Sequence, residues 1–245
     1  MKQKLLLIAF LCIGCTLVSN AQRKPAAKPA TTRPAQSTTA VTQQRPASRA
    51  SSAGKVGQPQ SLVEFEKSGG KPFMDVLRDR ENPVSLQRDN IEAEHLSKML
   101  WVACGQNPQN VLTAMQTTET PCVEIYLINE NGIYKYESDN HQLNCIRRGQ
   151  YLNLLMGNEI SVDAATALFF VFQPNKTVSE NRPPMTEMEA GINCGAIMQN
   201  VALFCSSEDL VGMPISFSES NKAELLKAIN LPEAIVMYGM AIGRK

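Results

Sequence analysis

The sequence predicts an α+β domain with a mostly antiparallel central sheet and helices packed on it, and three observations carry that expectation. Val123, Ile125 and Leu127 alternate with Glu124 and Tyr126, and after Asn131-Gly132 the stretch Ile133-Tyr134-Lys135-Tyr136 returns, the pattern of a β-hairpin. Ala167 to Phe172 is an unbroken apolar run of strand length, as in a central strand covered on both faces. Leu96, Met99, Leu100 and Ala103 recur at three- and four-residue spacing, which gives a helix one apolar face.

The first quarter of the 245-residue chain does not belong to that domain. Lys2 and Lys4 precede an apolar run from Leu5 to Val18, and Ser19-Asn20-Ala21 supplies the small residues of a cleavage site. The run is shorter than the roughly 20 residues that span a bilayer, so residues 1–21 are expected to be an export signal cut before Gln22. A second route stays open, in which Gly14-Cys15 is processed as a lipoprotein signal and Cys15 carries a lipid anchor. Either route leads to the periplasm or cell envelope. Residues 22–60 are rich in Ala, Pro, Ser, Thr, Gln and Arg and hold almost no large apolar side chain, so they cannot offset the entropy of ordering and are expected to form a tether.

Charge divides the chain the same way. The tether carries Arg23, Lys24, Lys28, Arg33, Arg45, Arg49 and Lys55 with no acid, while residues 61–245 hold 15 bases against 23 acids, near −8. The near-neutral total conceals this asymmetry. An acidic domain argues against nucleic acid as a ligand.

Within residues 61–245, Asp89 followed by Glu92 is the expected start of the helix that ends near Gly105. A third short strand around Leu143 to Ile146 follows the hairpin, then a helical stretch around Gln150 to Met156. Pro183-Pro184 breaks the chain before a long helix from about Thr186 to Ser206, in which Ala190, Gly191, Cys194, Gly195 and Ala196 are unusually small. Such a stretch admits close approach of another helix, either within one subunit or at a subunit interface. Ser220 to Ile229 is a further amphipathic helix and Ile235 to Ile242 the last strand.

Side-chain chemistry is sparse. Cys104, Cys122, Cys145, Cys194 and Cys205 contain no C-x-x-C pair, so neither a zinc nor a redox motif is present, and buried thiols suit their apolar neighbours as well as one or two disulfides do. His95 and His141 have no spaced partner, and no G-x-S-x-G elbow occurs. No catalytic side chain and no metal ligand is assigned.

Three stretches in order carry a family resemblance. Phe73 to Arg80, followed by Leu96-Ser97-Lys98-Met99-Leu100-Trp101-Val102-Ala103-Cys104-Gly105, resembles the opening helix, arginine motif and L-S-x-L-L-W-A-A-x-G helix of the FMN-dependent nitroreductases. Thr113-Ala114, Val123 to Leu127 and Gly132-Ile133-Tyr134-Lys135-Tyr136 resemble that family's T-A-P-S-A segment, the strand after it and its G-L-Y-x-Y hairpin. Gln199-Asn200-Val201-Ala202-Leu203 resembles the Q-N-x-x-L of its long core helix. The resemblance implies an intertwined homodimer with FMN at the interface, passing hydride from NAD(P)H to nitro compounds, quinones or similar small-molecule acceptors. The flavin would supply the chemistry and the protein its position, which agrees with the absence of a nucleophile motif.

Carried over residue by residue, the resemblance implies that Arg80 and Arg244 contact the flavin phosphate, with Asn82, Gln116 and Thr117 as secondary polar contacts. The departures are specific. R-R-S-x-R becomes Arg80-Glu81-Asn82-Pro83-Val84, losing an Arg and gaining a carboxylate, and P-S-A-x-N-x-Q becomes Met115 to Pro121 with Glu119 in place of Asn. Two readings follow: an FMN-dependent oxidoreductase, or a nitroreductase-like domain without flavin that acts as a binding or structural module in the envelope.

Overall fold

The computed structural model describes residues 55–117, 121–155, 163–174 and 184–244. The expected signal at 1–21, Cys15, most of the tether, Met156, Pro183 and Lys245 lie outside the described residues. In chain order the elements are β1 (Pro59–Ser61), α1 (Phe73–Asp79), α2 (Ala93–Cys104), β2 (Val123–Asn129), β3 (Gly132–Glu137), β4 (Gln142–Arg148), a 3-10 turn at Leu152–Leu155, β5 (Thr166–Phe172), α3 (Glu187–Ser207), β6 (Val211–Ile215), α4 (Glu219–Ala228) and β7 (Ile235–Gly243). The strands form one sheet in the order β1-β4-β3-β2-β5-β7-β6, and every pairing is antiparallel. The fold is α+β. The sheet takes in Pro59 and Gln60, two residues ahead of the domain start expected at 61, because both pair with β4.

β5 lies at the centre and every one of its residues is buried. Its side chains alternate between two cores, as the pleat requires. Leu168, Phe170 and Phe172 face α2 and α3, whereas Ala167, Phe169 and Val171 face α4 and the 3-10 turn. Leucine, phenylalanine and valine on both faces explain why the run reads as continuous rather than alternating.

The hairpin turns one residue earlier than expected. Asn129 pairs with Gly132, so Glu130 and Asn131 form the turn and Gly132 opens β3 with φ +148°. A β-carbon there would lie 2.1 Å from the Arg147 carbonyl oxygen, so only glycine fits. α2 begins after Glu92, not at Asp89, and ends at Gly105 as expected. α3 opens on a capping box in which the Thr186 hydroxyl accepts from the Glu189 N–H and the Glu189 carboxylate accepts from the Thr186 N–H. Its buried face runs Ala190, Asn193, Cys194, Ile197, Val201, Phe204 and Cys205.

An N-terminal strap, residues 62–71, crosses α2. The Ser97 hydroxyl donates to the Val63 carbonyl at 2.6 Å, and Phe65 packs against Trp101 and His141. Since the Ser97 proton is spent on Val63, His141 Nε2–H donates to Ser97 Oγ at 2.9 Å, and Nδ1 accepts from the Tyr136 hydroxyl at 2.8 Å. His141 is therefore held neutral. Burial and, to a lesser degree, the nearby Lys67 ammonium lower its pKa. In the window below the ordinary imidazole value the unfolded chain binds a proton that the folded one refuses, so stability rises with pH there and is fully present above it. We expect the urea midpoint to fall between pH 7.5 and 5.5, with a shallower fall in His141→Asn, which tolerates the φ of +47° at this position.

Candidate functional site

Four of the five residues singled out by sequence fall into two groups beside the two halves of α3, and Arg244 stands outside both. Gln116 and Thr117 lie beside its N-terminal half, because the Asn193 amide reaches out of the buried face to hold their loop. Asn193 Oδ1 accepts from the Thr117 N–H at 2.9 Å, and Asn193 Nδ2 donates to the Cys122 sulfur at 2.8 Å. One fully buried amide thus brackets residues 117 to 122. Gln116 Nε2 donates to the Ala114 carbonyl at 3.4 Å, while its Oε1 is buried without a hydrogen-bond donor among the described residues. Thr118, Glu119 and Thr120 lie outside the described residues.

Arg80 and Asn82 lie beside the C-terminal half of α3. Arg80 ends α1 in extended conformation, and its Nη1 donates to Asn82 Oδ1 at 2.9 Å and to the Glu81 carbonyl at 3.5 Å. A cavity of about 360 Å³ opens there, lined in part by Lys71, Asp79, Arg80, Glu81, Ser206 and Asp209. From Asn193 to Cys205 α3 rises twelve residues, about 18 Å at 1.5 Å per residue.

Arg244 follows β7. The Arg244 and Gln87 backbones exchange two hydrogen bonds, of 2.7 and 3.1 Å, and Arg244 Nε donates to the Asp89 carboxylate at 2.5 Å. Asp89 is thus the partner of a residue 155 positions away rather than a helix cap. Val84, standing where the resemblance places a second arginine, is 88% exposed.

The described cysteines are free, buried thiols. Burial pushes Cys104, Cys194 and Cys205 up to about 12, so they stay protonated and offer no thiolate nucleophile near neutral pH. No group of three or more metal-ligating side chains occurs among the described residues. Asn193 was missed in the sequence, although an Asn in phase with Ala190, Cys194 and Ile197 marks a buried polar group that must find partners. Asn200, within the Q-N motif, donates to the Val102 and Thr113 carbonyls at 3.1 Å each, so it locks α3 to the end of α2 and to the loop leading to Gln116.

The profile of the nitroreductase family matches residues 85–244. The chain belongs to the nitroreductase family. Among solved structures, a Ralstonia eutropha JMP134 protein named as a nitroreductase superposes with a TM-score of 0.69 at 22% identity, covering 78% of this chain and 92% of that one. An Anabaena variabilis ATCC 29413 protein also named as a nitroreductase gives 0.63 at 17%, covering 76% of this chain and 41% of that one. A chain of the E. coli microcin synthetase McbBCD complex gives 0.52 at 16%, covering 61% and 62%. These likenesses are of fold. No curated protein matches the chain. Nitroreductase-family proteins are in general flavin oxidoreductases, typically with FMN and often as dimers.

FMN makes two different demands on this member of the nitroreductase family. A flavin ring edge carries a donor as well as acceptors, and Gln116 Oε1 is a buried acceptor that needs a donor, so the ring end fits. The phosphate end does not: carboxylates of Asp79, Glu81 and Asp209 line the cavity at Arg80, and Arg244 is already bonded to Asp89.

Proposed function

We propose that the chain is a flavin-dependent oxidoreductase that works as a homodimer, and that its flavin site is composed from two copies. The observation that carries this reading is Gln116 Oε1, a buried acceptor without a hydrogen-bond donor among the described residues, beside a Thr117 N–H that Asn193 holds. When bound, a flavin would accept hydride from a reduced nicotinamide or an equivalent donor and pass it to a small acceptor such as a nitro compound or quinone. The residues of this chain would bind and orient. Gln116 and Thr117 would meet the ring, Asn193 would keep their loop in place, and Arg80, Asn82 and Arg244 would border the tail.

A second copy is favoured by the outward face of α3. Met188 is 78% exposed and Ile192 45%, and a β-carbon built on Gly191 or Gly195 meets nothing within 4 Å. Gly191 and Gly195 are therefore not used for packing within one subunit, whereas Ala190 and Cys194 are. A two-fold axis perpendicular to α3 at this face would set two α3 helices antiparallel across it.

Export through residues 1–21 is part of the proposal, with either a mature end at Gln22 or acylated Cys15. The mass of the mature chain distinguishes them. In the periplasm or envelope free NAD(P)H would be lacking, so another donor would serve.

The direct test is the visible spectrum and solution mass of purified residues 55–245, before and after incubation with flavin and removal of the excess. We expect a dimer with about one flavin band per subunit. Folded, colourless protein that refuses every flavin would overturn this reading in favour of a binding or structural role.

A further inference from the structure

Resting on the flavin reading, and on Arg80 marking the tail end of the site, we propose that the preferred flavin ends in a hydroxyl, as riboflavin does, rather than in a phosphate. The charges around that end are balanced before any ligand arrives. Lys71 Nζ lies 2.6 Å from Asp209 Oδ1, Arg78 bonds Asp75 and Asp79 at 2.7 and 2.8 Å, and Arg244 bonds Asp89. Arg80 itself is followed by Glu81, which lines the same cavity. A phosphate dianion would meet no net positive charge there.

The backbone adds to this. Both α1 and α3 point their C-terminal ends at the cavity, at Arg80 and at Ser206 to Asp209. Helix C-termini present carbonyl oxygens and the negative end of the dipole, whereas phosphate sites favour N-termini. The Ser206 carbonyl accepts from Lys71 Nζ at 3.3 Å, so acceptors line this end at the backbone as well.

Hydrogen-bond chemistry decides between the two tails. Carboxylate and carbonyl oxygens only accept, and a phosphate dianion has no proton to give them. A ribityl chain ending in a hydroxyl donates, carries no charge to desolvate beside Glu81 and Asp209, and can still accept from Arg80 and Asn82. The same residues that repel FMN therefore suit its dephosphorylated form.

Titration of the full-length chain with riboflavin and with FMN, followed by flavin fluorescence, tests this. Riboflavin should bind at least about tenfold tighter at low salt, and the gap should narrow as salt screens the carboxylates. Glu81→Gln combined with Asp209→Asn should strengthen FMN binding and move riboflavin little, with thermal melting monitored to establish that the variant is folded. FMN binding as tightly as riboflavin, or both flavins responding equally to the double variant, would overturn the inference and leave the oxidoreductase reading standing. If neither flavin binds, both are overturned.

Discussion

Ile192→Glu is expected to divide the dimer and take the flavin with it while leaving each subunit folded. Ile192 lies on the solvent side of α3 and Glu is the better helix former, so the isolated subunit loses little. In a two-fold interface the change appears twice, and each carboxylate is buried against the small, uncharged face formed by Gly191 and Gly195. An unpaired buried charge costs on the order of 3–5 kcal/mol, enough to weaken association more than about a hundredfold. Light scattering should show half the mass, circular dichroism an unchanged fold, and the flavin band should be lost because each half-site is incomplete. A variant that stays dimeric would place the interface elsewhere; a monomer that retains flavin would mean that one copy holds the whole site.

The local signals in the sequence were sufficient where local physics governs the outcome. The alternation of Val123, Ile125 and Leu127 gave β2, and the apolar run at 167–172 gave the buried centre of the sheet. Spacing gave α2 to within a residue of its end at Gly105. β6 was not legible, because Gly212 and Pro214 read as breakers. Pro214 is tolerated since β6 is an edge strand, paired among the described residues with β7 alone. β1 is three polar residues at the other edge, with no apolar pattern to reveal it.

The candidate site shows the same division. Motif order singled out Arg80, Asn82, Gln116, Thr117 and Arg244, but said nothing of what surrounds them. Asp89 reads as a helix start because its neighbours are a helix, and only the fold brings it to Arg244. Lys71 and Asp209, 138 positions apart, meet for the same reason. Charge balance at a site is a property of non-local contacts, so the loss of net positive charge at the tail end could be read only in part, from Glu81 and Val84.

Asn193→Ala carries the second large effect, and it separates support of the loop from support of the core. The substitution removes both bonds of a fully buried amide and leaves the Thr117 N–H without its acceptor. An unsatisfied buried donor costs about 1–3 kcal/mol and the space left behind adds to that, so a loss of roughly 2–4 kcal/mol is expected in urea unfolding. Ile197→Ala, one turn along the same buried face, should cost a similar amount through its cavity alone. The two variants should part on flavin binding. Loss of Asn193 releases Thr117 and Cys122 and with them the orientation of Gln116, so affinity should fall about tenfold, the equivalent of one lost and reordered contact. Ile197→Ala leaves the loop bonded and should bind flavin as the parent does. Equal flavin affinity in both variants would mean that Asn193 serves stability only, and that the loop holds its position through its own contacts.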